Sequence, residues 1–110
     1  MIIGLTGTKA SGKSYVARYL ETKGYKYLSL SEVVREEARK LYPEPSAHDL
    51  INTGNELRKK HGPGILSKKV LERMKEGDYV IDGIRNPAEV EYLRKNLKDL
   101  FFRQRKKDHF

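Results

Sequence analysis

Residues Gly7-Thr8-Lys9-Ala10-Ser11-Gly12-Lys13-Ser14 follow the pattern G-x-x-x-x-G-K-[ST], and what flanks them confines the fold. A loop of this kind works only between a buried strand and the first turn of a helix. There its glycines turn backbone N–H groups toward an anion, and the helix points its positive end at the same place. Met1-Ile2-Ile3-Gly4-Leu5-Thr6 is a short apolar, β-branched run, as a central parallel strand requires. Ser14 to Lys23 sets Val16, Ala17 and Leu20 on one helical face, and Gly24 is a stop signal. A solvated Gly/Ser turn is the plainer reading, but the flanks argue against it. Gly7, Thr8, Lys9, Ala10, Ser11, Gly12, Lys13 and Ser14 are therefore expected to cradle nucleotide phosphates. Lys13 would reach the β- and γ-phosphates in a catalytic role, and the Ser14 hydroxyl would bind Mg²⁺.

The rest of the chain alternates in the same manner. Tyr25 to Leu30 reads as a second strand. Ser29 then caps a helix with Glu32 as reciprocal partner, and Val33, Val34, Ala38 and Leu41 form its apolar side. Pro43-Glu44-Pro45 breaks that helix. Ser46 with Asp49 starts another, running to His61 with Ala47, Leu50, Ile51 and Leu57 at helical spacing. Gly62-Pro63-Gly64 is a turn. Ile65 to Met74 suits a further helix, closed by Gly77. Asp78 to Asp82 reads as a third strand. Asn86, Pro87 and Glu89 begin a helix whose inner stripe is Val90, Leu93 and Leu97. Leu100-Phe101-Phe102 could open a fourth strand. The order β-α-β-α-α-α-β-α-(β) predicts an α/β fold, a three-layer parallel sheet with right-handed crossovers.

Composition narrows the class. A chain of 110 residues is one domain with a single core. It has no cysteine, which excludes disulfides and thiolate metal sites, and His48, His61 and His109 lack ligand-like spacing. No apolar run is long enough to span a membrane, and Met1 leads directly into the first strand, so a cytoplasmic location is expected. The net charge of +8 suits an anionic partner, nucleotide or nucleic acid, although Arg103-Gln104-Arg105-Lys106-Lys107 inflates it.

Beyond the loop, three side chains carry chemistry. Asp82 ends an apolar strand, where a carboxylate can hold Mg²⁺ beside a phosphate loop; the plain alternative is a turn residue before Gly83. Arg35 and Arg85 follow the second and third strands. Guanidinium forks bind phosphate bidentately, so both suit an acceptor clamp, with Arg58 a weaker candidate and solvated surface arginines the alternative. Glu32 could orient an acceptor group, although its capping role already accounts for it.

Thr6-Gly7 through Ser14, then Leu28-Ser29-Leu30-Ser31-Glu32-Val33-Val34-Arg35, then Asp82-Gly83-Ile84-Arg85 resemble, in order, the segments of nucleoside-monophosphate kinases such as adenylate kinase. In those enzymes the arginines following the second and third strands grip the acceptor's phosphate, which implies that role for Arg35 and Arg85. Arg35 keeps the family spacing. Arg85 follows its aspartate by three residues instead of four, and the family's proline is missing. The resemblance is stronger, up to Leu97, to an uncharacterised, mainly archaeal group of kinase-like proteins with similar Val-Val-Arg-Glu-Glu-Ala and Asp-Gly-Ile-Arg-x-x-x-Glu-Val-Glu segments. Dephospho-coenzyme A kinases and phage deoxynucleotide kinases are more distantly similar.

The resemblance implies a sheet of the P-loop NTPase type and transfer of the ATP γ-phosphate to a small phosphorylated acceptor, a nucleotide, with Mg²⁺. Such kinases carry a further strand and an arginine-bearing lid. The chain is expected to lack both. Residues 1–102 would form the nucleotide-binding domain, and 103–110 a basic tail or lid remnant. A homodimer would cover the incomplete sheet. Two other functions compete: a nucleic-acid-associated ATPase, against which stands the absence of a recognition motif, and a nucleotide-binding fragment without turnover.

Overall fold

A computed structural model of the chain describes residues 1–7 and 15–105. The elements run β1 (Ile2–Gly7), α1 (Tyr15–Thr22), β2 (Lys26–Ser29), α2 (Leu30–Arg39), α3 (Ala47–His61), α4 (Ile65–Glu72), β3 (Tyr79–Ile84), α5 (Pro87–Asn96) and β4 (Leu100–Arg105). This is the expected order. The four strands make one sheet ordered β2-β3-β1-β4, with every pairing parallel. Parallel neighbours need crossovers, which the helices supply, and the sheet becomes the middle of three layers.

Side-chain alternation sorts the two faces. Ile3 and Leu5 of β1, Tyr27 of β2 and Val80 of β3 pack with Val16, Ala17 and Leu20 of α1. The opposite face is the larger core. Ile2, Leu28, Ile81, Ile84, Leu100 and Phe102 meet Leu30 and Val33 of α2, Leu66 and Val70 of α4, and Leu93 of α5. α3 does not lie on the sheet; it packs on α2 and α4, with Thr53 and Gly54 buried. β4 is an outer strand, and its Phe101 is 57% exposed.

One irregularity in β3 shapes the site. Ile81 and Ile84 are three residues apart yet share a face, which strict two-residue alternation forbids. The pairing with β1 slips there: Gly4 opposes Ile81, but Thr6 opposes Ile84. The extra residue is accommodated at Gly83, whose φ of +81° is unfavourable for a side chain. The bulge returns Ile84 to the larger core.

Several local expectations are corrected. β3 does not end at Asp82 but continues through Gly83 to Ile84. Ser29 caps α2, but no capping box forms with Glu32: the Ser29 hydroxyl accepts from the Ser31 N–H at 3.1 Å, and Glu32 pairs with Arg35 on its own helix. Leu41 lies beyond the end of α2 and is 70% exposed. β4, expected to open at Leu100-Phe101-Phe102, runs to Arg105. The capping boxes Ser46/Asp49 and Asn86/Glu89 both form, the second with Pro87 in the first helical turn. Among the described residues no helix is long and apolar enough to cross a membrane.

Candidate functional site

In parallel sheets ligands gather at the carboxyl ends of the strands. Gly7 ends β1 at the same edge as Ser29 in β2 and Asp82 to Ile84 in β3. Thr8, Lys9, Ala10, Ser11, Gly12, Lys13 and Ser14, the body of the phosphate-loop motif, lie outside the described residues. α1 begins at Tyr15, so in sequence the motif joins β1 to α1, as its chemistry requires.

Asp82 is 4% exposed and lies on the α1 side of the sheet. The Tyr27 hydroxyl donates to Oδ2 at 2.9 Å, and the Gly83 N–H donates to Oδ1 at 2.8 Å. Both oxygens are thus oriented by hydrogen-bond donors. No group of three or more His, Cys, Asp or Glu side chains that could enclose a metal occurs among the described residues. A lone carboxylate beside a phosphate loop is compatible with Mg²⁺. Magnesium keeps most of its water and leans on one or two carboxylates plus substrate phosphates. Asp82, with the Ser14 hydroxyl of the motif, is the pair that would hold it.

On the other side of the bulge a cavity of about 260 Å³ opens between α2, α3 and the end of β3. Arg35 of α2, Arg58 of α3 and Arg85 just after β3 all line it. Leu30, Val34, Leu50 and Ile51 form its apolar wall, with Ser31, Gly54 and Asn55 between. The structure therefore brings together Arg35 and Arg85, the two arginines singled out in the sequence, and adds Arg58. Glu32 does not join them. It lines a separate depression with Tyr27, Glu36 and Arg73, and reaches the cavity only through its ion pair with Arg35.

The three arginines differ in their partners. Arg35 pairs with Glu32, which is half exposed. Arg58 approaches Glu89 at 3.5 Å. Arg85 forms no ion pair among the described residues. Glu89 is completely buried, and its Oε1 accepts from the N–H groups of Arg85 at 2.9 Å and Asn86 at 3.3 Å. Sequence reasoning saw Glu89 only as a capping partner. It sits 31 residues from Arg58, and no local pattern signals such a contact. The Tyr27–Asp82 bond, across 55 residues, was equally invisible.

A parallel four-stranded sheet, a phosphate-loop motif between β1 and α1, and a buried aspartate on the neighbouring strand define a P-loop NTPase-type domain. The chain belongs to the AAA domain family, whose profile matches residues 6–110. It is similar to a UPF0200 protein of Methanothermobacter thermautotrophicus, 36% identical over 100 residues, covering 88% of this chain and 50% of the relative. A UPF0200 protein of Methanothrix thermoacetophila is 37% identical over 94 residues, covering 84% and 52%. One of Pyrococcus furiosus is 36% identical over 104 residues, covering 90% and 56%. The chain spans about half the length of these curated relatives. Their names state no activity, and the relatives are archaeal, in keeping with the resemblance drawn from the motifs.

Proposed function

We propose that the chain carries the nucleotide and acceptor sites of a P-loop kinase, transferring the γ-phosphate of ATP to a small phosphorylated acceptor, a nucleotide. The observation that supports this most is the convergence of Arg35, Arg58 and Arg85 on one half-apolar cavity beside the loop end of the sheet. A nucleic-acid groove would be open and lined with cations along its length. This cavity is small, and its apolar wall of Val34, Leu50 and Ile51 suits a flat base while the guanidiniums take a phosphate.

Catalysis is then a matter of positioning and charge. Lys13 and the loop N–H groups hold the donor's phosphates, and Arg35 and Arg85 hold the acceptor's phosphate. Arg85, at the junction of the two sites, faces the phosphoryl group in transfer. Mg²⁺, held by Ser14 and Asp82, supplies neutralisation of the donor's charge when bound. The acceptor oxygen attacks the γ-phosphorus, the bond to the β-phosphate oxygen breaks, and ADP leaves; no covalent enzyme intermediate is needed.

The test is ADP release from ATP and Mg²⁺ against a panel of nucleoside monophosphates and dephospho-coenzyme A. It is run on this chain and on the longer Methanothermobacter relative. Arg35→Ala should raise the acceptor KM by about tenfold or more, and leave ATP binding nearly intact. If the longer protein phosphorylates nothing and hydrolyses ATP only with nucleic acid present, the kinase reading is wrong.

A further inference from the structure

Glu89 has more partners than a helix cap needs. Its Oε1 accepts from the N–H groups of Arg85 and Asn86, the two donors exposed where α5 begins. The other capping box offers an internal comparison. There Asp49 accepts from the Ser46 N–H at 3.0 Å and forms no ion pair among the described residues. A short acid at a partly exposed position is enough for capping. At α5 the acid is longer and fully buried, and its second oxygen is turned to Arg58 on a different helix. Burying a carboxyl group is unfavourable unless charge and hydrogen bonds compensate. An amide would satisfy the same N–H donors at less cost of desolvation, so the cap alone does not account for an acid here.

Arg58 supplies the second half of the argument. Its Nε is buried with no hydrogen-bond partner, and its contact to Glu89 is long. A buried donor of this kind needs an acceptor. The side chain is about one-third exposed, and it forms part of the cavity wall shared with Arg35 and Arg85. The protein therefore satisfies this guanidinium only in part, and the exposed part of the side chain is where a molecule in the cavity could meet it.

We propose that Arg58 is a third anion-binding side chain of the cavity and that Glu89 is its positioning residue. The same carboxyl fixes the Arg58 head and the Arg85 main chain, tying α3 to the β3–α5 junction. This rests on reading the cavity as the acceptor site. The Arg58 guanidinium then enters the site already aimed, beside an Arg85 whose main chain is fixed, so a phosphate meets a partly formed clamp. The occupant is a phosphate monoester dianion, whose several oxygens can meet the exposed part of the Arg58 guanidinium and the fork of Arg85 together.

The test is titration calorimetry of the whole 110-residue chain with inorganic phosphate and with AMP, GMP, CMP and UMP, with thermal unfolding followed for each variant. The wild type should bind at least one mononucleotide. Arg58→Ala should weaken that binding by about tenfold or more, and Arg58→Lys should recover only part of it. Glu89→Gln keeps an acceptor for the Arg85 and Asn86 N–H groups but loses the charge that holds Arg58. It should weaken binding by a similar factor, and combined with Arg58→Ala it should add nothing further. Arg73→Ala removes a cation outside the cavity and should stay within about twofold of the wild type. If Glu89→Gln unfolds, Glu89→Asp replaces it: the shorter acid keeps its charge but draws back from Arg58, with the same loss expected. Binding unchanged in Arg58→Ala, or additive losses in the double variant, would overturn the proposal and leave the kinase reading standing. No binding of any probe by the wild type would overturn both.

Discussion

Gly83→Ala should be a damaging single-methyl change at the site, and its cost can be worked from the structure. The backbone there has φ +81°, a region that costs an L-residue about 1–2 kcal/mol. The added Cβ would also stand 3.3 Å from the hydroxyl oxygens of Ser29 and Ser31 and 3.4 Å from the Leu30 nitrogen. Two of these atoms belong to the capped first turn of α2, so the methyl can be admitted only by moving a helix end. Overpacking of that kind costs about 1–3 kcal/mol, for a total of about 2–5 kcal/mol. Against a stability of about 5–15 kcal/mol this is large. Gly24→Ala is the matched control: its φ is +94°, but nothing lies within 4 Å of the new methyl, so it bears the dihedral cost alone. Urea unfolding followed by circular dichroism gives both numbers. Gly83→Ala should lower stability by at least about 1 kcal/mol more than Gly24→Ala. Equal losses would refute the claim that the bulge is packed tightly against the start of α2.

Lys13→Ala should weaken binding of a non-hydrolysable ATP analogue by about tenfold or more, and Ser14→Ala should reduce only the Mg²⁺-dependent part, both read by calorimetry; unchanged affinity in Lys13→Ala would sink the phosphate-loop reading. Asp82→Asn should cost about 1–3 kcal/mol, because the amide cannot accept from Tyr27 and Gly83 as both carboxylate oxygens do, and should blunt the Mg²⁺ response of nucleotide binding; a variant that loses stability but keeps the full Mg²⁺ response would make Asp82 structural. Glu37 titrates below its ordinary value, chiefly through its hydrogen bond from Lys40. Its folded pKa is depressed, so its small contribution to stability is present above the unfolded pKa and is lost as pH falls through the folded one. Carboxyl NMR titration should show the midpoint rise toward the ordinary value in Lys40→Met, and an unmoved midpoint would exclude the pair as its cause.

The parts of this molecule that could be read from sequence are those encoded within one turn or one strand. The strand before the loop, the capping boxes at Ser46 and Asn86, and the turn at Gly62 each depend on residues a few positions apart, and each is found as expected. Arg35 and Arg85 were legible because each follows a strand, and parallel strands deliver their carboxyl ends to one edge. Arg58 was weaker, since it sits inside a helix whose place over α2 and α4 no local pattern dictates. What stayed hidden was long-range. The bulge at Gly83 looks in sequence like a turn that ends a strand at Asp82, because Asp-Gly favours both. Only the pairing with β1 decides that the strand continues, and with it that Ile84 is core and Arg85 emerges beside α3. Glu32 shows the opposite error. Three residues after a serine cap, its position promised a box, yet Ser31 took the cap and an arginine one turn along took the acid. A charged side chain near a helix start has several partners of similar strength within reach. Which one it takes depends on what packs above it, and at α2 that is the bulge of β3. The arrangement of the candidate site therefore follows from one glycine at positive φ: it shifts the register of β3, seats the first turn of α2, and sends Arg85 into the cavity that Arg35 and Arg58 already line.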